Sequence, residues 1–274
     1  MTAAPLIDIG INLAHDAYDG DREQVLARAR DAQVEQLIVT GSSVSSSHRA
    51  AEIAGHFHSI LFSTAGIHPH HAGDCSSEAL AELKELARSR RVVAIGECGL
   101  DYFRDLAPRP VQVKALRAQI ELAIEIGRPL FLHCRDAHRD FLEVVRSYRP
   151  LPPAVLHCFT GTLAEAEECL TAGLSLGITG WICDERRGTH LREVVRQVPA
   201  NRLMVETDGP YLLPRDLNPR PASRRNEPAY LPHILATVAA ARAEAPEVTA
   251  RATTANARAL FGLPVPAAVT ANDL

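Results

Sequence analysis

The sequence predicts an α/β fold, a single-domain TIM (β/α)8 barrel, from three observations. Eight short apolar, β-branched runs recur roughly every 20 to 35 residues. Between them lie segments with apolar residues three and four apart, the helical period. No linker or composition break divides the 274 residues, and barrels of alternating strands and helices need about 250 residues as one unit. A doubly wound sheet fits less well, and the chain has no GxGxxG motif and no Walker loop.

In order, LIDIGIN (6–12) reads as the first strand and DREQVLARARDAQ (21–33) as the helix that returns from it. QLIVTG (36–41) and LFSTAGI (61–67) follow, then the helical SEALAELKELARS (77–89). VVAIGE (92–97) leads to VKALRAQIELAIEIG (113–127), whose final glycine precedes Pro129, the expected stop chemistry. PLFLH (129–133), AVLH (154–157), the helical LAEAEECLTAG (163–173), LSLGITG (174–180) and LMVETD (203–208) complete the series. The barrel domain is expected over residues 1–264, with a flexible tail over 265–274. Residues 99–110 and 209–230 read as long loops after strands four and eight, where barrel enzymes build their sites.

The formal charge of −4 argues against a globally basic nucleic-acid coat but allows local basic patches. No apolar run approaches the roughly 18 residues of a membrane span, so no membrane partner is expected. MTAAPLIDIG enters an apolar run without the charged segment and cleavage site of a secretory leader. Six cysteines without a CxxC pair suit free thiols in a reducing compartment, so a cytoplasmic protein is expected.

Glu97, His133, His157 and Asp208 each stand at the end of one of these strands. Two imidazoles and two carboxylates delivered to one barrel mouth make a ligand set for a divalent metal. A bound ion lowers the pKa of water toward about 7, so the chain reads as a metal-dependent hydrolase with water as nucleophile. Asp208 is assigned to the metal or to the proton of the attacking water. Glu206, two residues earlier on the same strand face, is assigned to orienting a ligand from outside. His68, at the end of the third strand, is placed within reach of the reacting group, while His70 and His71 read as exposed loop residues. Cys98, Cys134 and Cys158 each follow a proposed ligand, so strand alternation turns them toward the helices as small apolar fillers.

Arg135, Arg186, Arg187, Arg224 and Arg225 lie in segments after strands five, seven and eight, and their guanidinium forks match phosphate. Tyr102, Phe103, Trp181 and Tyr211 fall in the same loop layer, where they could stack on unpaired bases.

The segments AGIHPHHAG, AIGECGLDY, FLHCRDAH, VLHCFTGT, CDERRG, ETDGPYLLPRDLNPRP and SRRNEPAYLPHI resemble those of TatD-family metal-dependent deoxyribonucleases, in the family's order and over nearly the whole chain. The resemblance implies a magnesium-dependent 3′-to-5′ exonuclease of single-stranded DNA, with RNA as an alternative substrate. It also implies metal-site roles for Glu97, His133, His157 and Asp208 and an active-site position for His68. A monomer is expected, and manganese or zinc could replace magnesium in vitro. Many family members open with an HxH whose histidines hold a second metal; here DIGIN puts Gly10 and Asn12 at those positions. One tightly held ion is therefore expected. Two rival readings are a deacylase or amidohydrolase on the same barrel and a non-catalytic binding protein.

Overall fold

The structure, a computed structural model, describes residues 4–57 and 60–266. The tail expected over 265–274 lies outside the described residues from 267 onward. Eight strands run parallel in sequence order: β1 (Leu6–Ile11), β2 (Val34–Val39), β3 (Leu61–Ala65), β4 (Val92–Asp101), β5 (Leu130–Arg135), β6 (Ala154–Leu156), β7 (Ser175–Ile178) and β8 (Leu203–Val205). The helices are α1 (Arg22–Asp31), α2 (Val44–His56), α3 (Ser77–Leu86), α4 (Arg109–Ile126), α5 (His138–Arg146), α6 (Leu163–Thr171), α7 (Leu191–Gln197), α8 (Leu231–Arg242) and α9 (Pro246–Phe261). The seam between β1 and β8 is tied just beyond the strands, where Asp208 N donates to Gly10 O and Asn12 N to Gly209 O, each at 2.8 Å. The expected TIM barrel is the observed fold.

Local sequence sets the helix ends. Ser43 and Ser76 cap α2 and α3 by accepting backbone N–H groups, and Thr162 and Glu165 form a reciprocal capping box on α6. Gly127 ends α4 at φ 65°, a left-handed conformation that favours glycine.

Strand alternation sorts two apolar layers. Ile7, Ile9, Ile38, Phe62, Val93, Phe131, Val155 and Met204 pack together inside the barrel, while Leu37, Val39, Leu130, Leu132, Leu176 and Ile178 belong to the layer under the helices. Phe261 and Leu263, at the end of α9, join the inner cluster, and Gln36 Nε2 donates to Pro264 O at 3.0 Å. That plugs the N-terminal end of the barrel. The inward line of side chains then continues toward the other end: His133 follows Phe131 by two, His157 follows Val155, and Glu206 follows Met204.

One boundary differs from expectation. β4 does not stop at Glu97 but continues through Asp101, pairing Gly99 with His133, Leu100 with Cys134 and Asp101 with Arg135 after an irregularity between Ile95 and Cys98. Gly99 permits this, because a Cβ there would collide with the His133 carbonyl. Residues 99–101, expected as loop, are therefore strand, and the connection to α4 is short. No helix among the described residues is long and apolar enough to cross a membrane.

Candidate active site

Glu97 is the point on which the predicted histidines converge. Its backbone N–H donates to Gly41 O at 2.7 Å, which fixes the carboxylate over the C-terminal mouth. Glu97 Oε1 lies 2.7 Å from His157 Nε2, 2.9 Å from His133 Nδ1 and 3.3 Å from His68 Nε2. Burial alone would raise the Glu97 pKa, but His68, His157 and His133 outweigh it and hold the carboxyl well below its usual range.

Each imidazole is oriented from behind. His68 Nδ1 accepts the His70 backbone N–H at 3.1 Å, so the His68 proton sits on Nε2, facing Glu97. Burial pushes the pKa of His68 down to about 4, against the pull of Glu97. His133 Nε2 points to Asp101 Oδ2 at 3.6 Å, and the same carboxylate oxygen meets His70 Nε2 at 2.7 Å. His157 stacks on Phe131 and turns Nδ1 toward Glu206 Oε2 at 3.5 Å. Glu206 Oε1 accepts the Cys158 backbone N–H at 2.5 Å. Glu206 is fully buried, between Gly10 of β1 and Gly177 of β7; a Cβ on either glycine would strike its carboxylate.

Asp208 approaches from β8 in a left-handed conformation, φ 53°. Its Oδ1 accepts from Asn12 Nδ2 at 3.0 Å. Burial lifts its pKa to about 7, opposed by His157 and reinforced by Glu97 and Glu206. Asp8, beneath this seam, accepts the Thr207 hydroxyl at 2.5 Å and the Thr207 N–H at 3.0 Å, and burial likewise lifts it to about 7.

The donor set fits a divalent cation. His68, Glu97 and His133 offer ligand atoms all within 4.8 Å of one another, and His157 reaches the same Glu97 oxygen. His133 Nε2, His157 Nδ1 and Glu206 Oε2, on the side of the rings away from Glu97, are buried without a hydrogen-bond partner, held only by loose approaches of 3.6 Å from His133 to Asp101 and 3.5 Å from His157 to Glu206. Imidazole and carboxylate suit first-row divalent metals and magnesium at the carboxylate-rich end.

A pocket of about 620 Å3 opens over these groups. The structure brings Glu97, His133, His157, Asp208, His68 and Arg135 into its wall. Glu206 stands behind it. Arg186, Arg187, Arg224 and Arg225 are not in the lining. Arg186 and Arg187 pair with Asp184 at 3.3 and 3.5 Å. Arg225 grips both carboxylate oxygens of Asp21 at 2.7 Å. Arg224 is exposed on the loop beyond.

Sequence reasoning missed Asp101, His70 and Arg104, all in the lining. Asp101 was hidden by the early end given to β4; its place four residues after Glu97 was the available signal. His70, expected to be exposed, is held by Asp101. Arg104 and Arg135 flank the Phe103 ring at 5.9 and 4.0 Å, and Phe103 is 55% exposed. Cys98 is in the buried core and Cys134, within β5, packs against the same helix-side cluster, as expected, although Cys134 also borders the pocket; Cys158 lines the pocket because its backbone, at φ 46°, leaves strand alternation. All six cysteines are free.

Residues 7–262 match the model of the family described as TatD related DNase. The chain is 55% identical over 260 residues to the "3'-5' ssDNA/RNA exonuclease TatD" of Erwinia billingiae (strain Eb661), covering 94% of this chain and 100% of the relative. Among solved structures, the TatD homologue YJJV from Escherichia coli k12 superposes with a TM-score of 0.86 at 28% identity, covering 94% of this chain and 98% of that one. A hydrolase TatD family protein from Entamoeba histolytica gives 0.84 at 26%, covering 95% and 99%.

Proposed function

The chain belongs to the TatD-related DNase family, and from that premise we propose that it removes nucleotides from the 3′ end of single-stranded DNA and RNA by phosphodiester hydrolysis. The carrying observation is the convergence of three imidazoles on Glu97 Oε1, at the floor of a pocket whose wall includes Arg104 and Arg135.

In this reading Glu97, His133, His157 and Asp208 would hold the divalent ion, which we take to be magnesium. When bound, the ion lowers the pKa of water toward about 7 and polarises a phosphoryl oxygen. Asp208 presents Oδ2 to the ion or to the attacking water whose proton it would take, since Asn12 occupies Oδ1. His68 donates from Nε2 toward the phosphate. Glu206 holds the His157 ring, and Asp101 the His133 ring, so that their other nitrogens face inward.

Arg135 and Arg104 face the substrate backbone. Phe103, between them, and Tyr211, 52% exposed on the opposite loop, stack on unpaired bases. A duplex keeps its bases stacked on one another, so these rings favour single strands. We also read the enzyme as a cytosolic monomer, the six free thiols being in keeping with a reducing compartment. The amidohydrolase alternative gains nothing from the lysines: Lys84, on α3, pairs with Glu125, and Lys114 lies on α4.

Digestion of linear and circular single-stranded DNA, with magnesium and with chelator, tests the proposal. The expected result is stepwise loss of 3′ label from the linear strand, none from the circle, and none with chelator. Equal cutting of the circle, or activity indifferent to chelator, would overturn it.

A further inference from the structure

Cys183, Asp216 and His233 meet outside the active-site pocket, although the sequence separates them widely. Cys183 ends the 3-10 turn Gly180–Cys183 after β7, Asp216 lies in the long loop after β8, and His233 is in the first turn of α8. Their ligand atoms, a sulfur, a carboxylate oxygen and an imidazole nitrogen, all lie within 4.8 Å of one another. None of the three lines the catalytic pocket, and the hydrolytic chemistry uses none of them.

The local arrangement is half-built for a cation. His233 Nε2 and Asp216 Oδ1 are 2.7 Å apart on the wall of an open hollow of about 520 Å3. Cys183 is fully buried, with its Sγ–H directed at Thr237 Oγ1 at 3.4 Å. Thr237 in turn donates to His233 O at 3.1 Å, so thiol and imidazole are set on one framework. Tetrahedral coordination with metal–ligand bonds of about 2.0–2.3 Å requires donors roughly 3.3–3.8 Å apart. The side chains of His233 and Asp216 are 33% and 40% exposed, so they can spread by the ångström or so that an inserted ion needs while the thiol stays fixed.

We propose that Cys183, Asp216 and His233 form a second metal site that takes a thiophilic divalent ion, zinc in kind, and clamps the β8 loop to α8 and to the segment after β7. Ligand chemistry separates the two sites. Thiolate selects zinc or cadmium, whereas the ligands proposed around Glu97 are nitrogen and oxygen donors alone. Binding releases the thiol proton to solvent as the sulfur–metal bond forms. The fourth position is left to water in the hollow, whose lining also includes Arg192 and Arg196. Because Tyr211 and Leu212 line the catalytic pocket only a few residues before Asp216, the clamp would fix the loop that carries them.

Cadmium titration of the full chain, followed by thiolate-to-cadmium charge-transfer absorption, tests the site without reference to nuclease activity. The band should saturate at one equivalent in the wild type and in His133→Ala, and vanish in Cys183→Ser. His233→Ala, at a partly exposed position that leaves the core intact, should weaken cadmium binding by at least about tenfold. A wild type without the band, a band that survives Cys183→Ser, or unchanged affinity in His233→Ala would overturn the proposal. The last arm keeps the test decisive if Cys183→Ser does not fold.

Discussion

Replacing Gly10 by alanine should damage the active site although position 10 touches neither substrate nor metal in the proposed mechanism. The new methyl would overlap Glu206 Oε2 and stand 3.0 Å from Phe131 Cζ. Glu206 cannot retreat toward β7, because a Cβ at Gly177 would already lie 2.5 Å from its other oxygen. The carboxylate must therefore leave the Cys158 N–H, a charge-assisted hydrogen bond worth about 1.5–3 kcal/mol, or force β1 outward at an overpacking cost of about 1–3 kcal/mol. A net loss of about 1–3 kcal/mol lowers Tm by roughly 2–5 °C in a chain of this size. Because Glu206 also faces His157 Nδ1, kcat/KM should fall about 10–100-fold, the usual cost of losing a partner behind a ligating histidine. Thermal denaturation and steady-state digestion of a labelled oligonucleotide measure both. Shortening the acid in Gly10→Ala/Glu206→Asp should restore part of the lost Tm, a coupling that a double-mutant cycle reads directly. A Gly10→Ala enzyme with wild-type Tm and kcat/KM would refute the reasoning.

Titration with magnesium, which does not seek thiolate, should without nucleic acid give one site, removed together with activity by His133→Ala or His157→Ala; two tightly bound magnesium ions, or an active histidine variant, would contradict that ligand set. Asp101→Asn should reduce kcat/KM by about 10–100-fold through the His133 ring, with weaker metal binding as the reading that separates it from a packing defect. The neighbouring arginines should part company. Arg225→Ala should cost about 1 kcal/mol of stability, since it leaves Asp21 to Arg28 alone, whereas Arg224→Ala should leave Tm alone and flatten the salt dependence of single-strand binding. Denaturant midpoints and salt titrations check this pair, and the reverse assignment would show Arg225 to be the substrate contact.

The barrel was legible because its signals are local. Each strand is a run of β-branched residues, each helix has its own period, and a ligand at a strand end is marked by the run before it, as with His133 after PLFL and His157 after AVL. What the sequence concealed depends on register or on distant pairing. Asp101 entered the site only because β4 continues past an irregularity and keeps step with β5, which no periodicity announces. Once Asp101 was misplaced, His70 had no visible partner and read as solvent-exposed. Arg225 offered phosphate chemistry in the sequence, yet its bidentate partner is Asp21, on a different barrel unit. Charge type is written in the residue; whether that charge is already spent is written in the fold.

The same distinction bears on how many ions the mouth can hold. A second ion would need donors from β1, where Gly10 has no side chain and Glu206 fills the adjoining space. Asn12 directs its amide N–H at Asp208 Oδ1, and the reverse orientation would set an amide oxygen against a carboxylate, which is repulsive whenever Asp208 is ionised. The backbone on both sides is committed as well, through Asp208 N to Gly10 O and Asn12 N to Gly209 O. The seam is thus closed by its own hydrogen bonds, with Asp8 fixing Thr207 from below. An ion entering there would have to break the Asn12–Asp208 bond and would gain no imidazole in return. A second magnesium could therefore be held only with its water shell and the phosphate it accompanies, since this ion dehydrates reluctantly. On this geometry the absence of two histidines from β1 is not a vacancy in a two-metal site. It is a differently bonded seam, whose hydrogen bonds hold Asp208 in place.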